Sequence, residues 1–357
     1  MCAPPSALAR LGAPGHGNAR QAAAGPGEPV PAAAERVVEL LHMAVAAVAT
    51  PTRRPRFRRA AEPPPFRLTP DDVEIVRVVA RHRLIRSTHI AALVNRSLDR
   101  TNDRLMRLFH AGYIDRPRAQ LDYYPSFGSA PMIYALADRG VRLLKEWDGA
   151  AFRNPEWSRK NREAGRPFIE HQIAIVDFQV ALRRAVRERG GIRLVSAEDL
   201  ITTAPRRPAG PNPFALHARL SDRGAVRDAS VIPDLVFGLE LAGGTRRNYM
   251  VEIDRGTMPV TRSDPDQTSI QGKLRVYLAA HAAKQHQRQF GWKNFRVLVV
   301  TTDRQRIGSM IDALGRVRIP RSVPPSLFLF ATFADLGLAD PLQHEWLDGS
   351  RRKVDLI

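Results

Sequence analysis

Cysteine is almost missing from this 357-residue chain: Cys2 stands alone, which excludes intramolecular disulfides and Cys-rich zinc sites. Long apolar runs are missing as well. The longest candidate, Val37 to Ala49, is short and carries Glu39 and His42, so nothing reads as a membrane span. The N-terminus lacks the charged-then-apolar order of a secretory signal, which predicts a cytoplasmic protein with no membrane partner. No Gly-Lys-Ser/Thr phosphate loop occurs, and Gly238 to Gly244 is too irregular for a dinucleotide loop. Negative charge is scarce: 36 Asp and Glu face 55 Lys and Arg, a formal net charge of +19. Only six of those cations are lysines. Such an excess favours a polyanionic partner, above all nucleic acid. With 44% hydrophobic residues the chain still holds enough apolar material for ordinary cores.

Half of residues 1–66 is Ala, Pro or Gly, with 17, 11 and 5 copies. A segment with so few core-forming side chains and so many prolines predicts a disordered tail. Residues 32–48 could form a short helix, and Met43 is an alternative start. The cluster Arg53, Arg54, Arg56, Arg58 and Arg59 reads either as a flexible phosphate-binding arm or as a solvated linker. Order is expected from Leu68, where Thr69 suits an N-cap, Pro70 the first helical position, and Asp71 and Asp72 the positive helix end.

Residues 67–148 then predict helix, helix, turn, helix, two-stranded hairpin and helix. The second helix starts at Ser87, and the third runs from Leu98 to Ala111, closed by Gly112. Strands fall at Tyr113–Asp115 and Met132–Leu136, and a last helix covers Ala137–Trp147. That order is a winged helix-turn-helix. On its third helix Leu98, Thr101, Leu105, Leu108 and Phe109 face inward. Arg100, Asp103, Arg104 and Arg107 lie at i, i+3, i+4 and i+7 and make one outward polar face, as a helix reading double-stranded DNA requires, and Asn102 is a further candidate DNA contact. Arg116, Arg118 and the pair Tyr123-Tyr124 would form the wing.

Residues 149–165 read as a linker, 166–335 as an α/β domain and 336–357 as a C-terminal tail with a solvated Arg351-Arg352-Lys353. The α/β domain opens with the amphipathic segment from Phe168. It continues with strands near Ile192–Ser196, Val231–Leu241 and Arg247–Asp254, the last two joined by a turn at Gly243-Gly244. A helix from Ser269, the strand Val297–Thr302, a helix near Arg304–Leu314 and the strand Leu327–Thr332 complete it. Pro233-Asp234 falls on the second strand. Glu252 and Asp254 fall on one face of the third by strand alternation. Carboxylates converging from adjacent strands need a compensating cation, and Mg²⁺ prefers such oxygen ligands. Asp234, Glu252 and Asp254 are the candidate metal set. Each also has a plain structural reading, such as Glu252 paired with Arg255 or Arg275. His171 reads as a core histidine.

The Pro233-Asp234, Glu252-Ile253-Asp254 pattern and the helix–three strands–helix–strand order resemble the restriction-endonuclease-like, PD-(D/E)xK fold. The resemblance implies catalytic roles for Asp234, Glu252 and Asp254, with Glu170 on the first helix. Asp254 replaces the lysine of that pattern, and Lys273 would supply its charge. The whole chain resembles the bacterial replication-relaxation family, found on plasmids and other mobile elements. Arg81-His82-Arg83-Leu84, Ala111-Gly112-Tyr113-Ile114, Tyr134-Ala135-Leu136 and Arg139-Gly140 carry that resemblance. So do Ile169-Glu170-His171, Pro233-Asp234, Glu252 through Thr257 and Lys273-Leu274 through Tyr277. It implies a DNA-binding protein of replication or mobilisation, and the nuclease-like domain reads as degenerate or as a second DNA or protein surface. Alternative readings are a Mg²⁺-dependent nickase or nuclease and a winged-helix transcriptional regulator. A homodimer and other replication or transfer proteins are the further expected partners.

Overall fold

The computed structural model describes residues 56–121, 130–149, 156–205, 212–222, 225–264, 267–320, 322–338 and 340–357. The tail up to residue 55, with its 32–48 helix, Met43, Arg53 and Arg54, lies outside the described residues, as do Tyr123 and Tyr124. Helix α1 (Pro70–His82) starts at the expected cap. Asp72 N–H donates to the Thr69 hydroxyl, and the Asp72 carboxylate accepts from Thr69 N–H at 2.8 Å, a reciprocal capping box. After α1 come β1 (Leu84–Arg86), α2 (Ser87–Leu93), α3 (Leu98–His110), β2 (Ile114–Asp115), β3 (Ile133–Leu136) and α4 (Asp138–Asp148). The expected order is present, with β1 added. These strands form an antiparallel sheet in the order β1-β3-β2. Thr101, Leu105, Leu108 and Phe109 of α3 are buried, but Leu98, expected inside, is 40% exposed.

Two sequence boundaries are corrected. Residues 56–66 are not a free tail. Arg59 donates to the carbonyls of Phe109 at 2.8 Å and Ile114 at 3.2 Å, and to Asp115 at 2.6 Å. Phe66 packs on the helical core. Residues 149–165 are not a plain linker either, because α5 (Trp157–Glu163) lies within them. Its buried Asn161 donates to the Leu136 carbonyl at 2.7 Å and accepts from Arg83 at 2.9 Å.

Helix α6 (Arg166–Glu188) opens the α/β half. It precedes β4 (Ile192–Val195), α7 (Ala197–Thr202), β5 (Leu216–Asp222), β6 (Ala225–Val231), β7 (Leu235–Leu241) and β8 (Arg246–Ile253). Then follow α8 (Ile270–Ala282), α9 (Gln285–Phe290), β9 (Arg296–Thr301), α10 (Arg304–Gly315), β10 (Phe328–Thr332) and α11 (Phe333–Leu338). Two short strands, β11 (Trp346–Asp348) and β12 (Lys353–Val354), end the chain. Seven strands make one sheet in the order β12-β11-β10-β9-β8-β7-β4. Strand β7 runs antiparallel to both its neighbours, β4 and β8, whereas β9 runs parallel to β8 and β10 to β9. Apolar residues of α8 and α10 pack on one face and those of α6 on the other.

The strand expected over Val231–Leu241 is two strands. Pro233, which has no N–H to donate, falls between them. Strand β6 pairs instead with β5, where the sequence predicts no element, in a separate hairpin. The C-terminal tail is corrected too: β11 and β12 extend the main sheet, and Trp346 and Leu356 have no exposed surface. Arg352 N–H donates to Asp348 at 2.9 Å, so this end is ordered by its own charges. No described helix is long and apolar enough to cross a membrane.

Candidate functional site

Helix α3 carries the expected basic face, but its arginines divide sharply. Arg100 and Asn102 are exposed, and Arg118 is exposed at the turn after β2. Arg107 is half-buried and pairs one turn back with Asp103 at 2.9 Å. Arg104 is different. Its guanidinium grips Asp72 on α1, with Nε 2.7 Å from Oδ1, and it lies over the Phe66 ring. Burial alone would raise the Asp72 carboxyl, but hydrogen bonds from Arg104 and Thr69 hold it below its ordinary value. Arg104 therefore ties α3 to α1 through Asp72. Arg116 is likewise engaged within the domain. It lies 4.2 Å from the Phe109 ring centroid, and it donates to the Arg56 carbonyl at 2.8 Å and to Tyr134 at 3.2 Å.

The acidic residues gather around the end of β8, each with its own partner. Glu252 is buried and faces α8, where Lys273 donates to one oxygen at 2.5 Å and Tyr277 to the other at 2.6 Å. Burial pushes the Glu252 carboxyl up, the Lys273 ammonium pulls it down, and Asp234 pushes it up again. Burial likewise lowers Lys273, but the charges of Glu252, Asp234 and Asp254 outweigh it and hold the ammonium above its ordinary value. The Tyr277 hydroxyl is raised well above its usual range by burial and by Glu252. Lys273 thus stays charged inside the cluster.

Asp254 points toward α10. Arg306 takes it with two nitrogens, Nε at 2.5 Å and Nη2 at 2.9 Å, and the Thr301 hydroxyl adds a bond of 2.6 Å. Asp234 precedes β7 and does not lie within it. Its carboxylate accepts from Ile253 N–H at 2.8 Å and bonds His171 Nε2 at 3.1 Å. His171 is half-buried at this edge, which corrects its reading as a core residue. Glu170 stands apart with Arg166, at 2.8 Å, and Arg255. The Arg166 hydrogen bond leads the influences that hold its carboxyl low.

Asp234, Glu252, Asp254 and Lys273 therefore share one electrostatic neighbourhood, while Glu170 belongs to a different ion network. Among the described residues no three His, Cys, Asp or Glu side chains form a group that could hold a metal ion. The expected Mg²⁺ set of Asp234, Glu252 and Asp254 is therefore not assembled among the described residues. Arg306 neutralises Asp254, Lys273 and Tyr277 occupy both oxygens of Glu252, and the backbone takes one oxygen of Asp234. Glu252 pairs with neither Arg255 nor Arg275, the plain partners its sequence position suggested. Arg306 and Tyr277 were missed as site residues. Tyr277 sits one helical turn beyond Lys273, a spacing that puts both on one face. Arg306 left no comparable signal, since its partner is 52 positions away.

Residues 76–294 match the family model described as replication-relaxation. The chain belongs to the replication-relaxation family. The matched region contains the motifs from Arg81 to Tyr277 on which the sequence resemblance rests. No curated protein matches the chain. Among solved structures, wild-type ZitR of Lactococcus lactis in complex with DNA is 17% identical and covers 44% of this chain and 99% of its own. Its TM-score of 0.20 is too low to speak for a shared fold.

Proposed function

We propose that this replication-relaxation protein binds double-stranded DNA through a winged helix-turn-helix formed by residues 67–148. It would serve the replication or mobilisation of a plasmid or other mobile element. The observation that carries this reading is the exposure of both Arg100 and Asn102 on α3, in a chain of net charge +19. An arginine fork and a carboxamide are the side chains best suited to guanine and adenine edges in the major groove. Titrating labelled duplex at several salt concentrations tests it, with Arg100→Ala as the informative variant. Wild-type affinity should fall steeply with salt, and Arg100→Ala should weaken binding; a salt-insensitive or absent interaction overturns the reading.

The α/β half we read as a nuclease-like domain retired from cleavage. Its helix–three strands–helix–strand order and the Pro-Asp…Glu-x-Asp spacing support the likeness to the PD-(D/E)xK fold. Its saturated carboxylates argue against activity. A rival nickase reading draws on Lys273, an ammonium standing among three carboxylates. Supercoiled plasmid incubated with Mg²⁺ or Mn²⁺ separates them: intact plasmid supports the retired site. Nicking that disappears in Asp234→Asn supports the nickase.

A further inference from the structure

A cleft of about 990 Å³ runs between the helical half and the α/β half, and the Arg166–Glu170–Arg255 ion network lies on its wall. Helix α6 forms its floor through Arg166, Ile169, Ile173, Asp177, Val180 and Arg184, a stripe at helical spacing along nearly the whole helix. At 1.5 Å per residue, Arg166 and Arg184 stand roughly 27 Å apart. Spread over that length, the volume gives a cross-section far smaller than that of a duplex. The shape is long and narrow. A duplex is too wide for it, and a compact small molecule would leave most of it empty.

Its charge is one-sided. Arg56, Arg86, Arg166, Arg184 and Arg255 line it, against Glu170 and Asp177. Glu170 pairs with both Arg166 and Arg255. Arg56 has no acidic partner among the described residues, and Arg184 meets only the exposed Glu188, at 3.6 Å. An exposed pair of that kind holds its arginine weakly. Between the cations the walls are apolar, and Phe57 and Phe333 offer partly exposed rings.

We propose that this cleft binds a single strand of DNA, its phosphates along the arginines and its bases against the aromatic and aliphatic walls. Alternating anionic and flat apolar groups are what a single strand presents, and arginine-lined grooves with stacking rings are how such strands are held. An acidic peptide would satisfy the arginines but leave the rings unused. The proposal takes its context from the DNA-binding reading above, yet its site is separate from α3.

Fluorescence anisotropy on the full chain tests it with three probes. They are an oligothymidylate of about ten nucleotides, within the usual single-strand site size, a duplex, and that duplex with the same strand as a tail. The oligothymidylate should bind, and the tail should tighten duplex binding by about tenfold, as a few extra phosphate contacts do. The double variant Arg56→Glu/Arg184→Glu, checked for an unchanged melting temperature, should lose both effects and keep its duplex affinity. Wild-type protein that ignores the oligothymidylate overturns the proposal, as does a double variant that binds it normally. Displacement of the oligothymidylate by polyglutamate at equal charge concentration would identify a peptide groove and also overturn it. Loss of duplex binding alone would sink the α3 reading and leave the cleft standing.

Discussion

Gly140 lies so close to Tyr113 that a Cβ on it would stand 2.3 Å from the Tyr113 carbonyl oxygen and 2.7 Å from Leu136. Two separated motifs of the family resemblance are thus one contact. Arg139 reinforces it, donating to the Ala111 carbonyl at 2.9 Å and lying 4.6 Å from the Tyr113 ring centroid. Gly140→Ala should cost about 1–3 kcal/mol by overpacking. Urea unfolding would read this as a lower midpoint with an unchanged slope. An equal midpoint would mean that the backbone yields there at no cost.

Arg104 and Arg100 share a helix and should fail differently. Arg104→Ala leaves Asp72 buried and unpaired, and should destabilise the protein by about 3 kcal/mol. Arg100→Ala should leave the melting temperature in place and lower the salt slope of duplex binding by about one. A normal melting temperature for Arg104→Ala, combined with lost DNA affinity, would return Arg104 to the reading face.

The Lys273–Glu252 pair gives a third expectation. Lys273→Met strands a buried carboxylate, and Glu252→Gln strands a largely buried ammonium. Each single change should cost about 3 kcal/mol, whereas the double variant Lys273→Met/Glu252→Gln should recover much of the loss. Strictly additive losses in chemical denaturation would contradict a coupled pair.

Two buried histidines set the response to acid. Burial lowers His82 to about 4, with the charges of Arg183, Arg81 and His89 adding to the shift against the hydrogen bond that its ring donates to Gln179. Burial and the neighbouring His281 bring His286 to about 4 as well. Both groups take up protons near 6.5 in the unfolded chain, so between those values the unfolded state binds more protons. Their contribution is complete above pH 6.5 and is lost as pH falls toward 4, by on the order of 3 kcal/mol each. His286→Phe should flatten the decline between pH 7 and 4.5. An unaltered pH dependence of the urea midpoint in that variant would exclude His286 as a source.

Elements with strong periodicity were legible in the sequence. Helix α6 announced itself by Ile169, Ile173, Val176 and Val180, and β9 by its unbroken apolar run. Strand β1 escaped because three residues show no period, whereas β5 was legible and went unread, its Leu216, Ala218 and Leu220 alternating with exposed His217, Arg219 and Ser221. At the C-terminus, Arg351 to Lys353 masked two strands whose anchors are Trp346 and Leu356. The acidic positions near β8 were visible as a pattern. What each carboxylate holds was not, because Arg104 meets a partner 32 positions away and Arg306 one 52 positions away. Pairings of that range depend on the tertiary packing, which local spacing does not encode.

Helix α6 belongs to both halves of the molecule. Val176 joins the helical core, Ile169 and Ile173 close against Leu84 and Ala135, and Ile175, Phe178, Leu182 and Ala185 sit in the α/β core. It is a party wall. A change of sequence on α6 is therefore felt in two rooms at once, and neither can be rebuilt or exchanged without the other. A chain assembled this way inherits its two halves as a single heritable part. Lineages that acquire it by recombination would be expected to take it whole, with crossovers falling outside the stretch that spans the wall.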